Sequence, residues 1–469
     1  MSINNAELSA AKVDVSRPLG AQEHNNAKLR MIEKIAYGSG DFANNLIFMT
    51  IMNFLLFFYT DVFGISAMVA GTLFLVTRVE DALDDFITGV FVDHTHSRWG
   101  KLRPYLLFGS IPLGITAILC FTTPALNASG KIVYAYVTYI ALMLMYSMVG
   151  IPYSAMTAAM TQDRQERVSL SSIRMIFAVI GGLIASVLTP ILTTVLGGGN
   201  PATGYQLTMV IFAAIAIAVY MFTFAKTKER VTAEKNQKLP LALILKIIFR
   251  NKYLMLMSLL FMLMLGAYTL KGGAAMYYFT YNMGKPDLVS IYFLVTTVFM
   301  LVGMFTVPVL SKKFGKRNAL CLGLAVVVVS NVALYFVGYA NTALIFVCSI
   351  FSSLGIALPM ALAWGMIPDT VEYAEWKHGA RAEGIIYSAS SFAQKVAMAI
   401  GGSISGIILT VVRYAPNAVQ TPVAQNGIGM MMALIPGLLM LAGFIVMLFY
   451  NMDDEKYNKI VEEIASRRN

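Results

Sequence analysis

The stretch "TRVEDALDDFITG", from Thr77 to Gly89, places charged side chains in the middle of an apolar run. Four carboxylates fall within six residues: Glu80, Asp81, Asp84 and Asp85. Asp81 and Asp85 share one face of a helix, because side chains four residues apart are neighbours there. Two close carboxylates do not both stay ionised without a counter-charge. We therefore predict that Asp81 and Asp85 alternately hold and release a cation.

An alternative for these acids is the end of a helix in water, paired with the neighbouring Arg78. The central position of the segment in its apolar run argues against this alternative for Asp81 and Asp85. It is the favoured interpretation for Glu80 and Asp84.

The composition indicates the medium around these charges. The chain has 469 residues, 58% hydrophobic and only 13% charged, and its mean hydropathy is +0.68. Soluble domains carry about 25% charged residues, and an apolar run of about 20 residues spans a bilayer. Twelve spans are predicted, at roughly 37–62, 66–92, 104–124, 132–160, 169–195, 206–226, 253–282, 288–310, 317–338, 342–367, 383–412 and 427–450. The predicted fold class is an all-α membrane protein with twelve transmembrane helices.

The loops between the spans indicate an orientation and an internal repeat. Lys and Arg are concentrated in alternate loops, so the positive-inside rule places both termini in the cytoplasm. The segments "RWGKLRP" and "KFGKRNA" follow the second and the eighth span. This layout predicts two pseudo-symmetric six-helix bundles of the major-facilitator type. The predicted parts are an N-terminal tail (1–35), a first bundle (36–226), a linker (227–251), a second bundle (252–451) and a C-terminal tail (452–469).

The net charge of +10 is explained by the Lys and Arg residues that keep alternate loops in the cytoplasm and by their contact with anionic lipid. A nucleic-acid partner is not predicted, because no basic stripe interleaves with aromatic residues. Nothing in the sequence resembles a catalytic triad, a nucleotide-binding loop or a metal cluster, so we predict no enzyme and no cofactor. The predicted carrier is a monomer.

Three cations lie inside predicted spans: Arg174, Lys271 and Lys395. Lys395 is about twelve residues from the start of its span, too deep for its ammonium to reach the membrane surface easily. We predict that Lys395 pairs with Asp81 and Asp85 across a central cavity in the empty carrier, which lowers the cost of burying all three.

Six motifs carry a family resemblance: "YGSGDFANN", "FFYTDVFG", "GTLFLVTRVEDALDD", "SRWGKLRP", "IPYSAM" and "PDTVEYAEWKHGARAEGIIYS". In this order, and together with Lys395, they resemble the glycoside–pentoside–hexuronide:cation symporter family, which includes bacterial melibiose, glucuronide and pentoside carriers. The resemblance implies a major-facilitator fold, a central sugar site and transport coupled to Na⁺, H⁺ or Li⁺. It implies a multi-pass protein of the bacterial cytoplasmic membrane.

The resemblance also implies roles for single positions in cation coupling. Asp81 and Asp85 match the acids of the cation site, and Lys395 matches the lysine coupled to them. Gly150 stands where melibiose carriers complete their sodium site with an acid, and only Ser147 keeps an oxygen nearby. Because a charged ligand is lost, hard-cation binding is less favoured. We therefore expect H⁺ rather than Na⁺, while Na⁺ at Asp81 and Asp85 stays open.

A sugar pocket needs hydrogen-bonding groups for the hydroxyls and an aromatic ring for the apolar sugar face. By residue type and by resemblance, the predicted substrate-binding residues are Asn44, Asn45, Tyr153, Arg174, Lys271 and Trp364. Asn45 is placed by the resemblance where melibiose carriers use an acid. The alternative for the asparagines and aromatics is helix bridging and packing. The alternative for the whole protein is an exporter or exchanger of a small organic anion, held by the intramembrane cations.

Overall fold

The computed structural model describes residues 29–230, 248–378, 383–452 and 454–468. Most of the predicted N-terminal tail and of the predicted linker lies outside these ranges. The helices of the N-terminal half are α1 (Met31–Phe57, continued by a π-helical turn, Phe58–Phe63), α2 (Ala67–His94), α3 (Arg103–Cys120), α4 (Ala128–Met160), α5 (Arg164–Gly197) and α6 (Pro201–Lys226).

The C-terminal half repeats this series. Its helices are α7 (Lys252–Tyr277, continued by a π-helical turn, Tyr278–Asn282), α8 (Leu288–Phe314), α9 (Lys316–Val337), α10 (Thr342–His378), α11 (Glu383–Val411) and α12 (Pro422–Gly429, Met430–Leu434 and Ile435–Leu448). A final helix, α13 (Asp454–Arg468), follows. No β-strand occurs in the described ranges.

Eleven of the twelve long helices in the two halves are apolar enough to cross a membrane. The remaining long helix is α2. Only Ala67–Thr77 of α2 is apolar throughout, because the acidic cluster follows directly. Asp84 was expected at an aqueous interface, but its side chain is only 3% exposed. The expectation of a helix end in water was wrong for Asp84, because the side chain is buried and α2 continues beyond it to His94.

Side chains at the helix starts determine where several helices begin. Ser66, Asn127 and Asp163 each accept a hydrogen bond from a backbone N–H in the first turn of α2, α4 and α5 respectively. They satisfy donors that a helix start otherwise leaves without a partner. Gly64 and Gly198, with φ of 80° and 52°, let the chain turn away after α1 and α5.

The two halves have equivalent internal packing, as expected for a repeat. In the first half, α1 packs against α5 and α6, and α3 packs against α4 and α6. In the second half, α7 packs against α11 and α12, and α9 packs against α10 and α12. The predicted arrangement of two pseudo-symmetric bundles is confirmed.

The halves meet along a seam made by three helix pairs: α1 with α7, α2 with α11, and α5 with α8. We call the end of the bundle at which α1 begins the basic end, because its loops carry most Lys and Arg residues, and the opposite end the far end. A hydrophobic core crosses the seam near the far end, from Phe54 and Phe58 of α1 to Tyr277 and Phe279 of α7. The described parts of α4 and α10 share no comparable packing. The halves are therefore joined most tightly at the far end.

Candidate functional site

An ion pair lies inside the N-terminal half, about three helical turns from the basic end. The Arg174 guanidinium on α5 donates from Nε to Asp41 Oδ2 on α1 at 2.5 Å, and from Nη2 to Oδ1 at 3.3 Å. The two side chains are 22% and 12% exposed, so a small ligand can still reach them. Both α1 and α5 also pack on the other half, which places the pair near the seam.

Two tyrosine rings hold the guanidinium in place. Its central carbon lies 4.8 Å from the ring centre of Tyr153 and 5.4 Å from that of Tyr37, distances at which a cation is attracted to a ring. The Tyr37 hydroxyl donates to the Tyr153 carbonyl at 2.9 Å, and the Tyr153 hydroxyl donates to the Tyr37 carbonyl at 2.7 Å. These reciprocal bonds fix α1 against α4 and make the site rigid. Tyr153 and Arg174, each predicted to bind substrate, are in contact here, and their role in binding stays a prediction.

Asp41 is the carboxylate that the sequence analysis did not single out. It lies one helical turn before Asn45, the position at which the resemblance suggested a replaced acid. Asn45 instead donates from Nδ2 to the Asp41 backbone carbonyl at 2.9 Å, and Asn44 accepts from the Tyr220 hydroxyl at 3.4 Å. The signal was available, since Asp41 is an acid well inside an apolar helix.

Two residues of the C-terminal half lie at a similar depth. Trp364 on α10 is 39% exposed and packs on Phe261 of α7, with ring centres 5.4 Å apart. Lys395 on α11 is half-buried and takes part in a polar contact. Both lie about three to four turns from the basic end and keep part of their surface exposed.

Position 150, where melibiose carriers are expected to have an additional acidic cation ligand, has free space around it. A Cβ atom on Gly150 of α4 would meet no other atom within 4 Å. Ser147, one turn earlier, is 5% exposed. An acid at position 150 would therefore have room beside the Ser147 hydroxyl.

The backbone of α2 carries Asp81 and Asp85, whose side chains lie outside the described part of the structure. Its packing on α11 fixes the level of these positions. Gly71 lies so close to α11 that a Cβ there would be 3.2 Å from Gly406 Cα, and Gly402 faces Phe74. The helices α2 and α11 run in opposite directions, and Gly402 of α11 lies beside Phe74 of α2. Moving seven residues toward the start of α11 reaches Lys395, and moving seven residues toward the end of α2 reaches position 81. Lys395 is thus level with position 81 and on the same face as Gly402, two turns away.

Lys271 does not join the Arg174 site. It lies about five turns from the basic end, and its Nζ donates to Asn331 Oδ1 at 2.6 Å and to Ser352 Oγ at 3.4 Å. Both partners belong to the C-terminal half, on α9 and α10. The ammonium is thus held inside that half.

A second polar cluster closes the seam at the far end. Asp61, at the end of α1, accepts hydrogen bonds from the hydroxyls of Tyr281 and Tyr414, and Asn417 donates to its backbone carbonyl at 2.8 Å. Burial and the neighbouring Asp61 carboxylate raise the pKa of Tyr414, so its hydroxyl stays protonated as a donor. We call Asp61, Tyr281, Tyr414 and Asn417 the far gate. The sequence analysis did not identify it, although Asp61 lies in the quoted "FFYTDVFG".

Comparisons with known proteins agree with this architecture. Residues 36–454 match the family model described as "MFS/sugar transport protein". The chain is 42% identical to the uncharacterized symporter YnaJ of Bacillus subtilis, over 94% of this chain and 96% of that one. It is 39% identical to the isoprimeverose transporter of Lactiplantibacillus pentosus, over 90% of this chain and 88% of that one.

Solved structures show the same fold at low sequence identity. The nucleoside transporter NupG superposes with a TM-score of 0.61 at 15% identity, covering 89% of this chain and 100% of that one. The predictions of the fold, of the family and of a transporter rather than an enzyme are confirmed. The chain is a multi-pass membrane transporter that belongs to the glycoside–pentoside–hexuronide family of major-facilitator sugar transport proteins.

Proposed function

We propose that this carrier moves a glycoside together with a cation by alternating access, and that the cation is H⁺. The observation that carries the proposal is the ion pair of Asp41 and Arg174, clasped by tyrosine rings near the seam. Carboxylate, guanidinium and aromatic faces are the groups with which a protein binds sugar hydroxyls and the apolar face of a sugar ring. A site at the interface of two repeats is the usual location in such carriers.

The proposed substrate pocket combines both halves. Arg174, Asp41 and Tyr153 supply its N-terminal wall, and Trp364 supplies an aromatic surface from α10. Asn44 and Asn45 stand on the same segment of α1 and become available if their present bonds are exchanged for bonds to substrate. Lys271 is not part of this pocket in our proposal, because its ammonium is bonded inside the C-terminal half.

The proposed orientation follows from the loop charges. The positive-inside rule places the basic end in the cytoplasm, which makes the far gate extracytoplasmic. The structure then corresponds to an inward-facing state, since the seam is packed at the far end. The proposed location is the cytoplasmic membrane of a bacterium, with both termini in the cytoplasm.

Cation coupling is proposed to involve Asp81, Asp85, Ser147 and Lys395. The register of α2 on α11 supports this assignment, because it brings Lys395 level with position 81. When a lysine and a carboxylate inside a membrane protein are paired, neither is left as an uncompensated charge. A proton on the carboxylate would remove that attraction and permit the halves to rock.

The test is uptake into proteoliposomes with an imposed pH gradient, an imposed Na⁺ gradient, or neither. The substrates are isoprimeverose, a simple pentoside and a glucuronide, with a three-carbon sulfonate as the representative organic anion. Accumulation of a glycoside that follows the pH gradient supports the proposal. Accumulation of the sulfonate alone supports the organic-anion alternative, and accumulation that follows only Na⁺ contradicts the choice of H⁺.

A further inference from the structure

Lys271 is a half-buried cation within the C-terminal half that the proposed transport site does not use. Its Nζ donates hydrogen bonds to the side chains of Asn331 and Ser352. These two residues are only 1% and 7% exposed. Asn331 Nδ2 in turn donates to the Val327 carbonyl at 2.9 Å and to Ser352 Oγ at 3.3 Å. We call Lys271, Asn331 and Ser352 the lysine cluster.

Among the described side chains, no acid lies beside Lys271: on α1, which faces the neighbouring Gly272, Asp41 is paired with Arg174 and Asp61 belongs to the far gate. The charged residues of α8, α9 and α10 stand toward the basic end, and α12 has none: Lys312, Lys313, Lys316, Arg317, Asp369, Glu372, Glu375 and Lys377. On α11 the charged residues are Glu383, at its basic-end start, and Lys395. The titratable side chain that faces Lys271 is Cys348 of α10. The described residues contain no ion pair to Lys271.

The partners suit the neutral amine as well as the ammonium. An ammonium has three N–H donors and no acceptor, and the cluster supplies two acceptors. An amine donates to Asn331 Oδ1 and accepts a hydrogen bond from the Ser352 hydroxyl, which rotates to suit. An ammonium in a non-polar interior is costly without a counter-charge. The cluster is thus built to hold the lysine in either protonation state.

We infer that the lysine cluster is a proton-binding site, at which Lys271 gains and loses one proton during the transport cycle. The amine takes H⁺ from water and becomes an ammonium, so the charge of the C-terminal half rises by one, and release of H⁺ to water reverses the step. This inference rests on the proposed symport and adds to it a second protonation site, in the half opposite to Asp81 and Asp85.

The position of Lys271 on α7 connects its charge to the seam. The next residue, Gly272, faces α1 so closely that a Cβ there would lie 2.6 Å from Asn53 Oδ1. About one and a half turns further on, the Tyr277 hydroxyl lies 2.7 Å from Thr60 Oγ1, and Tyr281 belongs to the far gate. A charge that appears on Lys271 therefore acts on the helix that closes the far end.

The first experiment measures proton binding without any substrate. Purified wild-type carrier and Lys271→Gln are titrated between pH 6 and 9 with a pH-indicator dye. Gln keeps a hydrogen-bonding group of similar length, and matched melting temperatures show that it folds. We expect the wild type to bind one proton more than the variant within this range. Identical titration curves would overturn the inference, whatever the substrate of the carrier proves to be.

The second experiment measures isoprimeverose exchange at equal pH on both sides of the membrane. The wild-type rate should show a titration step, with a slope of up to about tenfold per pH unit. The step should be lost in both Lys271→Gln and Lys271→Arg, whose charges are fixed, and kept in Lys285→Gln, an exposed lysine at the far end. Ser352→Ala removes one partner and should move the midpoint by about one pH unit. A step that persists in both Lys271 variants assigns the lysine a purely structural role.

The outcomes separate the inference from the proposed function. Absence of isoprimeverose exchange in the wild type counts against the proposed substrate, and the dye titration still decides on Lys271. Exchange with a normal pH step in both Lys271 variants counts against the lysine cluster, while glycoside transport stands.

Discussion

At the scale of single residues, Arg174 joins α1 to α5 and also lies where a ligand can reach it. A second ion pair between the same helices, Lys34 with Glu166 at 2.7 Å, lies closer to the basic end. Both ion pairs join α1 to α5, but only the pair of Asp41 and Arg174 lies in the proposed substrate pocket. Both are mostly buried, with side chains 12% to 22% exposed.

We expect Arg174→Gln to weaken glycoside binding by about 1–3 kcal/mol, which is about 5- to 150-fold in Kd, because substrate and Asp41 lose a charged partner. Glu166→Gln should lower the melting temperature of the carrier with little effect on Kd. Isothermal titration in nanodiscs measures Kd, and a thermal-shift assay measures stability. An unchanged Kd in Arg174→Gln would exclude Arg174 from the pocket.

The space beside Gly150 gives a prediction about the choice of cation. Gly150→Asp adds a carboxylate one turn after Ser147, at a position where a Cβ would meet no other atom within 4 Å. Oxygen ligands with negative charge favour hard cations, so sugar uptake should become stimulated by Na⁺. Gly150→Asn has the same size without the charge and is the control. Equal Na⁺ responses in both variants would show that this position lies outside the cation site.

At the scale of the helices, the far gate joins the end of α1 to the ends of α7 and α11. Asp61 accepts from two tyrosine hydroxyls of the other half, so its carboxylate loses both bonds when the gate opens. The closed seam is also stabilised by the aromatic core around Tyr277. Opening therefore exchanges protein hydrogen bonds for bonds to water.

We expect Asp61→Ala to shift the population of the carrier toward states with an open far end, because two acceptor sites are lost. Spin labels at Leu126 and Tyr339, both exposed, report the distance between the halves there when the native cysteines are replaced. The distance distribution should move to longer values in Asp61→Ala. Asn282→Ala is the control, since the Asn282 amide donates to the Gln425 carbonyl of its own half. Identical distributions in wild type and Asp61→Ala would contradict a gating role.

At the scale of the whole molecule, intramembrane charges are divided between the halves. The acidic cluster of α2 belongs to the N-terminal half, where Arg174 already neutralises Asp41, whereas Lys271 and Lys395 belong to the C-terminal half. Attraction across the seam therefore depends on protonation, and protonation can bias which end of the carrier is open. This division provides a physical reason for coupling between a cation and the rocking of two rigid halves.

Lys395→Ala should uncouple sugar accumulation from the pH gradient, because in the proposed pairing the carboxylates of Asp81 and Asp85 lose their counter-charge. Combining it with Asp81→Asn or Asp85→Asn should restore folding and facilitated diffusion but not uphill transport. Uptake into proteoliposomes with and without a gradient measures both properties. A Lys395→Ala carrier that still concentrates sugar would remove this lysine from the mechanism.

The sequence alone determined the class of protein, the series of helices, the two halves and the family. These properties follow from local patterns, since a run of apolar residues, a capping side chain or a motif is read without knowing what packs against it. The acidic stretch in α2 was also visible at this level, because charge inside an apolar run is conspicuous in any fold.

The tertiary structure alone decided which polar groups meet. Asp41 and Arg174 are 133 residues apart in the chain, and their contact depends on the rotation of α1 against α5. Asn45, one turn after Asp41 on the same face, donates to the Asp41 backbone carbonyl, and the Asp41 carboxylate accepts from the guanidinium. The far gate likewise depends on three helix ends that meet only when the halves close there. A helix sequence fixes which residues share a face, but packing of the whole bundle decides what that face touches.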